Sequence, residues 1–557
     1  MSANTIPRPE HPNPQWLREN WQNLNGTWQF HALTGPHDHL NCDITLPFCP
    51  ESVLSGVHHT GFLTHVDYKR TIELTEEQLA GRVVVHVGAA DYRTYIIANG
   101  KHIYTHEGGY TSFEADIAPY CTPGTNELRI ECKDMTMDNL QMKGKQSEKT
   151  GSYGCNYTRT TGIWQTVWLE FTPKTHIQTA VFQPDPENAC LHLRAQVEGK
   201  GTLTAKAYWE GKLVGEAAVK NCGNTCRLML PLSEVHFWEV GKGGLYDLEL
   251  SFGEDSVKSY FGLRTIALEG HKFLINGKSV FQRLVLDQGF YPDGIYTAPT
   301  AEVLENDIKL SMAAGFNGAR LHQKVFEPLF HYYADKHGYL TWGEFADWGV
   351  DKRDPKVLHK FLPQWLEAVA RDRNHPSIIG WCPYNETPED QYRENISRIY
   401  YLTKSVDPDR PCIDTSGYTH VGPTDVYCIH DYDQNFEKLK SRYDRLGEGI
   451  IQQPHHLGNC RYDGQPLFLS EYGGIGWDLE GGWGYGETPK SREEFAQRYH
   501  DLTTALLENP SMFAFCYTQL TDVEQEHNGV YTYDRRPKFE DQSFYYNTNT
   551  QAAAIEN

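Results

Sequence analysis

The sequence predicts a multidomain protein in which two β-rich regions precede a (β/α)8 barrel. The chain has 557 residues, which is too long for a single hydrophobic core. Its first half consists of short runs of alternating polar and apolar residues, separated by turns rich in Gly and Pro. Its second half alternates apolar runs of strand length with longer amphipathic segments. We therefore expect domains at residues 1–174, 175–265 and 266–557.

The β character of residues 1–174 is clearest around the Asn99-Gly100 pair. This pair separates two alternating runs, Tyr95–Ala98 and Lys101–Tyr104, and Asn-Gly favours a tight hairpin turn. Many short strands of this kind predict a β-sandwich or a jelly roll. Residues 175–265 continue in the same style, for example over Leu191–Val197, and their length fits one small immunoglobulin-like sandwich.

The C-terminal half repeats a strand-then-helix rhythm whose size is typical of a (β/α)8 TIM barrel. Only a short polar stretch separates the fifth and sixth predicted strands, so we expect the fifth helix to be very small or absent. The predicted strands are Ser279–Leu286, Phe316–Leu321, Tyr339–Trp342, Ser377–Trp381, Pro411–Asp414, Val426–His430, Pro466–Ser470 and Met512–Tyr517, and the predicted helices are Glu302–Ala314, Pro328–Lys336, Lys356–Arg371, Arg393–Ser405 and Arg492–Leu507.

The composition argues against several classes of partner. The formal net charge of −22 disfavours nucleic acid, whose binders concentrate Lys and Arg, and it disfavours an anionic membrane surface. It leaves room for a small acidic substrate that a single local Arg or Lys could hold. The N-terminus lacks the features of a secretory signal and no stretch of 18 apolar residues occurs, so we expect a cytoplasmic protein. The 13 cysteines lack metal-ligand spacing, which predicts free thiols and no metal site.

Two apolar runs end on glutamates, at Glu386 and at Glu471. In a (β/α)8 barrel, functional residues lie at the carboxyl ends of the strands, where both of these would fall. Neither run has a basic residue close by in sequence, and burial without a local cation raises the pKa of a carboxyl group. Two facing carboxylates, one a proton donor and one a nucleophile, are what cleavage of a glycosidic bond requires.

The residues around both glutamates resemble a known family. The stretch from Arg373 through Asn385-Glu386, and the stretch Ser470–Gly473, resemble the acid/base and nucleophile signatures of glycoside hydrolase family 2. That family includes β-galactosidases, β-glucuronidases and β-mannosidases. The resemblance implies an N-terminal β jelly roll, an immunoglobulin-like β-sandwich and a C-terminal TIM barrel. It covers nearly the whole chain, through Leu24–Trp28, Thr161–Trp164 and Phe261–Arg264.

The resemblance also implies a retaining mechanism without a cofactor. Glu471 would attack the anomeric carbon, and Glu386 would protonate the leaving oxygen and then deprotonate water. Asn385 would bond the sugar 2-hydroxyl, and Arg320 would help to hold the nucleophile ionised.

Further residues are assigned to substrate binding, and most of them have a structural alternative. His322 either lines the pocket or is simply packed, and Asp287 either contacts the sugar or caps a turn. Trp477 and Trp483, in a Gly-rich loop, are either a mobile stacking lid or loop anchors. Tyr517 stands where the family often has a tryptophan that floors the sugar site, and the two residues of the sixth strand are assigned by position alone. The full set is His322, Asp287, His430, Tyr432, Trp477 and Tyr517.

The glycone is the least determined property. The simplest expectation is a β-galactosidase, although Gln323 stands where galactosidases of the family carry a histidine. The stretch Glu524–Gly529 is acidic and lacks the Asn-x-Lys motif with which family glucuronidases read a substrate carboxylate. A different glycone, such as a galacturonide, a glucuronide or an α-L-arabinopyranoside, stays open. So do a non-catalytic carbohydrate-binding protein on the same scaffold and a homo-oligomeric state.

Overall fold

Antiparallel sheets form the N-terminal half of the molecule, and a parallel β/α sheet forms the C-terminal half. The computed structural model describes residues 6–33, 40–452, 462–477 and 481–556. Within these residues, the chain is a multidomain protein, as the sequence predicts. No helix of the described part combines the length and the apolarity needed to cross a bilayer. The twelve cysteines of the described part are free thiols, as expected.

The first region packs two antiparallel sheets around one core. The larger sheet has the strand order β3-β2-β4-β10-β7-β8 and the smaller has the order β1-β12-β5-β9, with β11 paired to β6 beside them. Alternate residues of the strands point inward, so Trp28, Val85 and Leu128 share the core. The elements are β1 (Trp21–Asn23), β2 (Gly26–Ala32), β3 (Asn41–Leu46), β4 (His65–Leu74), α1 (Glu76–Ala80), β5 (Arg82–Val87), β6 (Ala90–Asp91), β7 (Arg93–Ala98), β8 (Lys101–Glu107), β9 (Phe113–Asp116), β10 (Gly124–Lys133), β11 (Gly162–Ile163) and β12 (Val167–Thr172).

The second region is a smaller pair of antiparallel sheets with its own core. The sheets have the orders β13-β14-β17 and β16-β15-β18-β19. Leu193, Ala205 and Leu250 are among the buried residues between them. The strands are β13 (His176–Asp185), β14 (Cys190–Glu198), β15 (Thr202–Trp209), β16 (Lys212–Lys220), β17 (Thr225–Pro231), β18 (Tyr246–Phe252) and β19 (Asp255–Phe261).

The third region opens with a small antiparallel sheet, β20-β21-β22, and continues as a parallel sheet in the order β26-β25-β24-β23-β29-β28-β27. Helices connect most of its parallel strands, and the predicted helices agree with the observed ones to within one or two residues. The elements are β20 (Ile266–Glu269), β21 (Lys272–Ile275), β22 (Lys278–Ser279), β23 (Gln282–Asp287), α2 (Ala301–Ala313), β24 (Gly318–Leu321), α3 (Pro328–His337), β25 (Leu340–Glu344), α4 (Val357–Asp372), β26 (Ile378–Cys382), α5 (Arg393–Val406), β27 (Tyr427–Asp431), α6 (Phe436–Tyr443), β28 (Leu467–Tyr472), α7 (Arg492–Leu507), β29 (Met512–Tyr517) and α8 (Ser543–Asn549).

The predicted fifth strand, Pro411–Asp414, is not a regular strand. The segment runs beside β26 through the single bridge Trp381–Cys412, and Ile413 N donates to Trp381 O at 2.9 Å. Its remaining backbone N–H groups are not available to β27, because Cys412 N donates to Asp425 Oδ2 and proline has no N–H. As expected, residues 415–426 contain no helix.

The first and third regions share a buried aromatic core. Trp164 and Tyr110 of the first region pack with Tyr296 and Phe345 of the third, with ring centroids 5.2–6.2 Å apart. The loop of residues 134–161, between β10 and β11, continues this contact across the carboxyl ends of the parallel strands. Lys143 N and Gly144 N both donate to Trp348 O, at 3.0 and 3.2 Å. We refer to residues 134–161 as the covering loop.

Gly144 allows the covering loop to approach the third region closely. Its φ of +55° lies in the left-handed region, and a Cβ at this position would be 2.4 Å from Gln323 O. We predict that Gly144→Ala lowers the free energy of unfolding by about 1–3 kcal/mol, because backbone strain and this clash add. Denaturant unfolding measures the change. Gly151→Ala in the same loop meets no atom within 4 Å and is the matched control. Equal stability of the two variants would contradict the prediction.

Candidate active site

Polar side chains converge where the parallel strands end at their carboxyl edge. Arg320 is on β24 and Glu344 ends β25, while His430 and Glu471 are near the ends of β27 and β28. Glu386 follows β26 by a short loop. Because the strands are parallel, these side chains reach the same edge of the sheet, which is the edge that the covering loop spans.

Glu386 and Glu471 face each other across His430. His430 Nδ1 lies 2.9 Å from Glu386 Oε1 and 3.4 Å from Glu471 Oε2. One carboxylate oxygen of each glutamate and one ring nitrogen of His430 all lie within 4.8 Å of one another. His430 is itself held from behind, because its Nε2 lies 2.9 Å from Ser416 Oγ. The two carboxylates that the sequence singled out are thus close enough to act on one atom between them.

Arg320 connects most of the site. Its side chain is completely buried, and it donates to Glu471 Oε1 at 2.8 Å and to Glu344 Oε2 at 2.6 Å. It also donates to the Asn385 carbonyl oxygen Oδ1 at 2.5 Å and to Ser470 O at 3.1 Å. A buried guanidinium needs partners of this kind, because an unpaired buried charge is costly. Arg320 therefore fixes the positions of the residues around it as well as their charges.

The surroundings of Glu471 favour its ionised form. Burial of this carboxylate opposes ionisation, but His430, Arg320 and a hydrogen bond from Tyr432 together hold its pKa well below the usual range. Tyr432 Oη donates to Glu471 Oε2 at 2.5 Å, and its ring stacks on Tyr485 at 3.5 Å. The sequence predicts that burial raises this pKa, but the effect of Arg320, which comes from strand β24, is larger and opposite when added to the other contacts.

His322 and Asn385 line the same site. His322 Nδ1 lies 2.9 Å from Glu344 Oε1, and burial, Lys145 and Arg320 lower the pKa of His322 well below its ordinary value. The imidazole is therefore neutral. Asn385 Oδ1 accepts from Arg320, while its Nδ2 is buried without a hydrogen-bond partner among the described residues. That amide is a donor ready for a ligand.

Glu386 has an unusual backbone. Its φ of +48° is in the left-handed region, which is uncommon for a residue with a side chain. Glu386 N donates to Ser416 O at 2.9 Å, which holds the residue in this conformation. In this backbone conformation the Glu386 side chain contacts His430. The carboxylate of Glu386 is also the more exposed of the pair, at 18% against 6% for Glu471.

Two predicted contact residues have other partners. Asp287 accepts a hydrogen bond from Gly289 N at 2.9 Å, which is the turn-capping alternative, and burial with the nearby charge of Asp307 raises its pKa to about 6. Tyr517 is fully buried. Its hydroxyl accepts a hydrogen bond from Ile475 N, and its ring packs against Gly473. Within the described residues, neither side chain makes a hydrogen bond or an ion pair with Glu386 or Glu471.

The Gly-rich loop after Glu471 favours the anchoring alternative in its described part. The Trp477 ring packs 5.0 Å from Phe539 and 6.0 Å from Phe495. Trp483 Nε1 donates to Gly154 O of the covering loop at 2.9 Å. Residues 478–480, between the two tryptophans, lie outside the described residues.

Sequence reasoning did not select several residues of the site. The sequence does place Glu344 at the carboxyl end of the third strand, but it assigns that residue no role in the site. The residues of the covering loop carried no such signal, since the loop belongs to the first region. The residues not selected are Glu344, Lys145, Trp348, Ser416, Tyr485 and Glu526.

Three side chains of the site have the atoms and the spacing that a metal ion would need. Glu386, His430 and Glu471 each offer one ligand atom within 4.8 Å of the others. However, His430 already contacts both carboxylates, and Arg320 and Tyr432 occupy the two oxygens of Glu471. These atoms therefore have hydrogen-bond partners of their own, and the sequence expectation of no metal site stays a prediction.

Comparisons with known proteins agree with this geometry. A β-glucuronidase of Canis lupus familiaris is 26% identical over 450 residues, which cover 70% of this chain and 65% of that protein. The structure of a β-D-glucuronidase of Dictyoglomus thermophilum superposes with a TM-score of 0.80 at 20% identity, covering 99% of this chain and 100% of the other. A β-galacturonidase of Eisenbergiella tayi bound to galacturonate gives a TM-score of 0.79 at 18% identity, covering 97% and 99%. At these identities the solved structures show the likeness of fold alone.

Other relatives are for the most part named β-glucuronidases, and a β-galactosidase is also among them. The family model described as "Glycosyl hydrolases family 2, TIM barrel domain" matches residues 266–540, the region that supplies Arg320, Glu386 and Glu471. On this match, residues 266–540 of the chain belong to glycoside hydrolase family 2.

Proposed function

We propose that the protein is a retaining exo-acting β-glycosidase whose glycone is a uronic acid, either a β-glucuronide or a β-galacturonide. The observation that carries the mechanism is the pair of carboxylate oxygens, on Glu386 and Glu471, within 4.8 Å of each other. Retaining glycosidases hold their two carboxyl groups ~5–5.5 Å apart, whereas inverting enzymes leave ~6.5–9.5 Å for a water molecule. Nearest oxygens within 4.8 Å of each other support the closer, retaining arrangement.

The surroundings of the two glutamates support different roles. Glu471 accepts hydrogen bonds from Arg320 and Tyr432, which stabilise a carboxylate anion, so we assign it as the nucleophile. Glu386 is more exposed and contacts His430, so we assign it as acid and base. Glu471 attacks the anomeric carbon while Glu386 gives its proton to the leaving oxygen. Glu386 then takes a proton from water, whose oxygen displaces Glu471 from the sugar.

Asn385 fits the contact to the sugar 2-hydroxyl. Its Nδ2 is buried and has no hydrogen-bond partner among the described residues, while Arg320 holds its other end. A donor fixed in this way strengthens its bond as charge develops on the sugar ring. No step of this chemistry needs a cofactor.

Two observations favour a uronide over the galactoside expected from sequence. The relatives are mostly named β-glucuronidases, and a structural neighbour is bound to galacturonate. Gln323, which stands where family galactosidases carry a histidine, bonds Asp347 and accepts from Trp348 N, so its amide is already engaged. A uronic acid also suits the small acidic substrate that the overall charge leaves open.

We also propose the domain division at 1–174, 175–265 and 266–557. The first two units have separate buried cores, which supports a jelly roll and an immunoglobulin-like sandwich. The family model begins at residue 266, and the seven-stranded parallel sheet with the adjoining segment 411–416 supports a (β/α)8 barrel.

A panel of nitrophenyl glycosides tests the glycone. We expect the highest kcat/KM on a β-glucuronide or a β-galacturonide, with lower values on β-galactoside, β-glucoside, β-mannoside and α-L-arabinopyranoside. Proton NMR of the first product should show the β-anomer, because two displacements retain configuration. A first-formed α-anomer would refute the mechanism, a preference for a neutral sugar would refute the glycone, and no turnover of any glycoside would favour a binding protein.

Replacing each glutamate should give distinct kinetic signatures. Glu471→Ala should abolish turnover, and added azide should restore it and form the α-glycosyl azide from the vacated face. Glu386→Ala should lower kcat/KM by ~10²–10⁴-fold for poor leaving groups and much less for activated ones. With this variant azide should form the β-glycosyl azide. Glu389→Ala, an exposed glutamate on the same loop, is the control. If both site variants respond alike to leaving group and azide, the roles are wrongly assigned.

Removing the Tyr432 hydroxyl should alter the pH dependence. The pKa of Glu471 is depressed in the folded protein, so its carboxylate stays ionised at mildly acidic pH. It becomes protonated only when the pH falls further. Tyr432→Phe removes one donor, so this pKa should rise and the acidic limb of kcat/KM should move to higher pH, with about a tenfold lower rate. Tyr472→Phe is the control, because that hydroxyl bonds Thr503. An unmoved acidic limb would contradict the assignment.

A further inference from the structure

Lys145 brings an ammonium group from the first region to the site in the third. It lies in the covering loop directly after Gly144, whose N–H donates to Trp348 O. On its other side, Lys145 O accepts from Tyr157 N at 2.8 Å. The backbone is therefore held on both sides, and the Lys145 side chain is only 7% exposed.

The ammonium of Lys145 lacks an acceptor in the described part of the chain. Its Nζ lies 4.0 Å from the centroid of the Trp348 ring, and no hydrogen bond or ion pair to a described residue accompanies that contact. The other buried lysines differ, because Lys143 donates to Thr136 O and Lys324 donates to Gly289 O and Tyr296 O. A cation–π contact offsets only part of the cost of removing an ammonium from water. Lys145 is thus prepared to receive an anion.

The charge of this ammonium interacts with the charged groups of the same site. Burial opposes the charge of Lys145, but Cys155, Glu526, Glu386 and Glu471 together raise its pKa above the ordinary value. In turn, Lys145 lowers the pKa of His322. The Lys145 charge is therefore felt by both candidate carboxylates and by a neutral imidazole beside them, so a sugar bound between Glu386 and Glu471 lies within its field.

Residues 524–529 of the third region, where family glucuronidases carry the lysine of their Asn-x-Lys motif, have no lysine or arginine here. Residues 524–529 are acidic, and Glu526 is buried with its two oxygens occupied by Tyr157 at 2.5 Å and by Asn528 at 3.0 Å. A substrate carboxylate next to Glu526 would be repelled unless a cation lay nearby. The same covering loop that supplies Tyr157 to Glu526 also supplies Lys145, so the loop brings a cation to this acidic stretch.

We propose that Lys145 binds the carboxylate of the uronic acid glycone and thereby determines specificity for uronides over neutral sugars. This inference rests on the proposed function. An ammonium and a carboxylate form a charge-assisted hydrogen bond, which a neutral C6 hydroxymethyl group cannot replace. The preference arises because a neutral sugar would leave the buried ammonium without an anionic partner.

The test compares sugars that differ only at C6. These are the β-glucuronide with the β-glucoside, and the β-galacturonide with the β-galactoside. Lys145→Met keeps the length of the side chain and its contact with Trp348. We expect its kcat/KM on the preferred uronide to fall on the order of 10²-fold, because one partner of a buried charge pair is lost. On the neutral sugar we expect a change of less than about threefold. Lys145→Arg retains the charge and should remain within about tenfold of the wild type.

Control and binding measurements separate the outcomes. Lys149→Met, an exposed lysine of the same loop, should leave both rates unchanged. Calorimetric titration with the free uronic acid and with the neutral hexose measures the ratio of their affinities, which reports the same preference without turnover. A parallel loss on both sugars would assign Lys145 a structural role and overturn the inference, and so would an unchanged uronide rate. If the wild type itself cleaves no uronide, the proposed function fails before any variant is made, and this inference fails with it.

Discussion

The buried Arg320 guanidinium is the interaction on which the site depends. It contacts Glu471, Glu344 and Asn385 at 2.5–2.8 Å with no exposure to solvent. Its charge is stabilised by two carboxylates, and it stabilises them in return, so removing Arg320 would leave two buried carboxylates without this cation. The three partners come from the ends of different strands. The fold therefore places them correctly only when the parallel sheet is complete, which couples the integrity of the site to that of the sheet.

The site is also a product of two regions of the chain. The covering loop rests on the third region through backbone bonds to Trp348 and through the close approach at Gly144. Its Tyr157 bonds Glu526, and its Gly154 accepts from Trp483. A shared aromatic core fixes the two regions to each other behind this loop. The covering loop can thus hold a charged group over the site as firmly as a strand would.

The sequence predicted those parts of the molecule that depend on local pattern. Helix α7 has the predicted bounds, and the glutamates at 386 and 471 were found because each stands at or just beyond the end of an apolar run. Contacts between distant segments left no such pattern. Lys145 looked like any loop lysine, and Tyr517 looked like a floor residue although Ile475 N occupies its hydroxyl. Asp287 illustrates the same limit, since only the folded backbone shows that Gly289 needs its carboxylate.

The segment 411–416 explains why one predicted strand is irregular. A regular strand there would spend its backbone groups on both neighbours, β26 and β27. Instead, Ser416 O accepts from Glu386 N, and Ser416 Oγ contacts both His430 Nε2 and Ser470 Oγ. One residue therefore holds the strained backbone of Glu386, orients the imidazole that bridges the two carboxylates, and contacts the residue before Glu471. Ser416 N also donates to Tyr384 O at 2.8 Å, so its backbone stays paired with the residues after β26 while its side chain contacts His430 and Ser470. The short polar stretch of the sequence therefore helps to align the two glutamates.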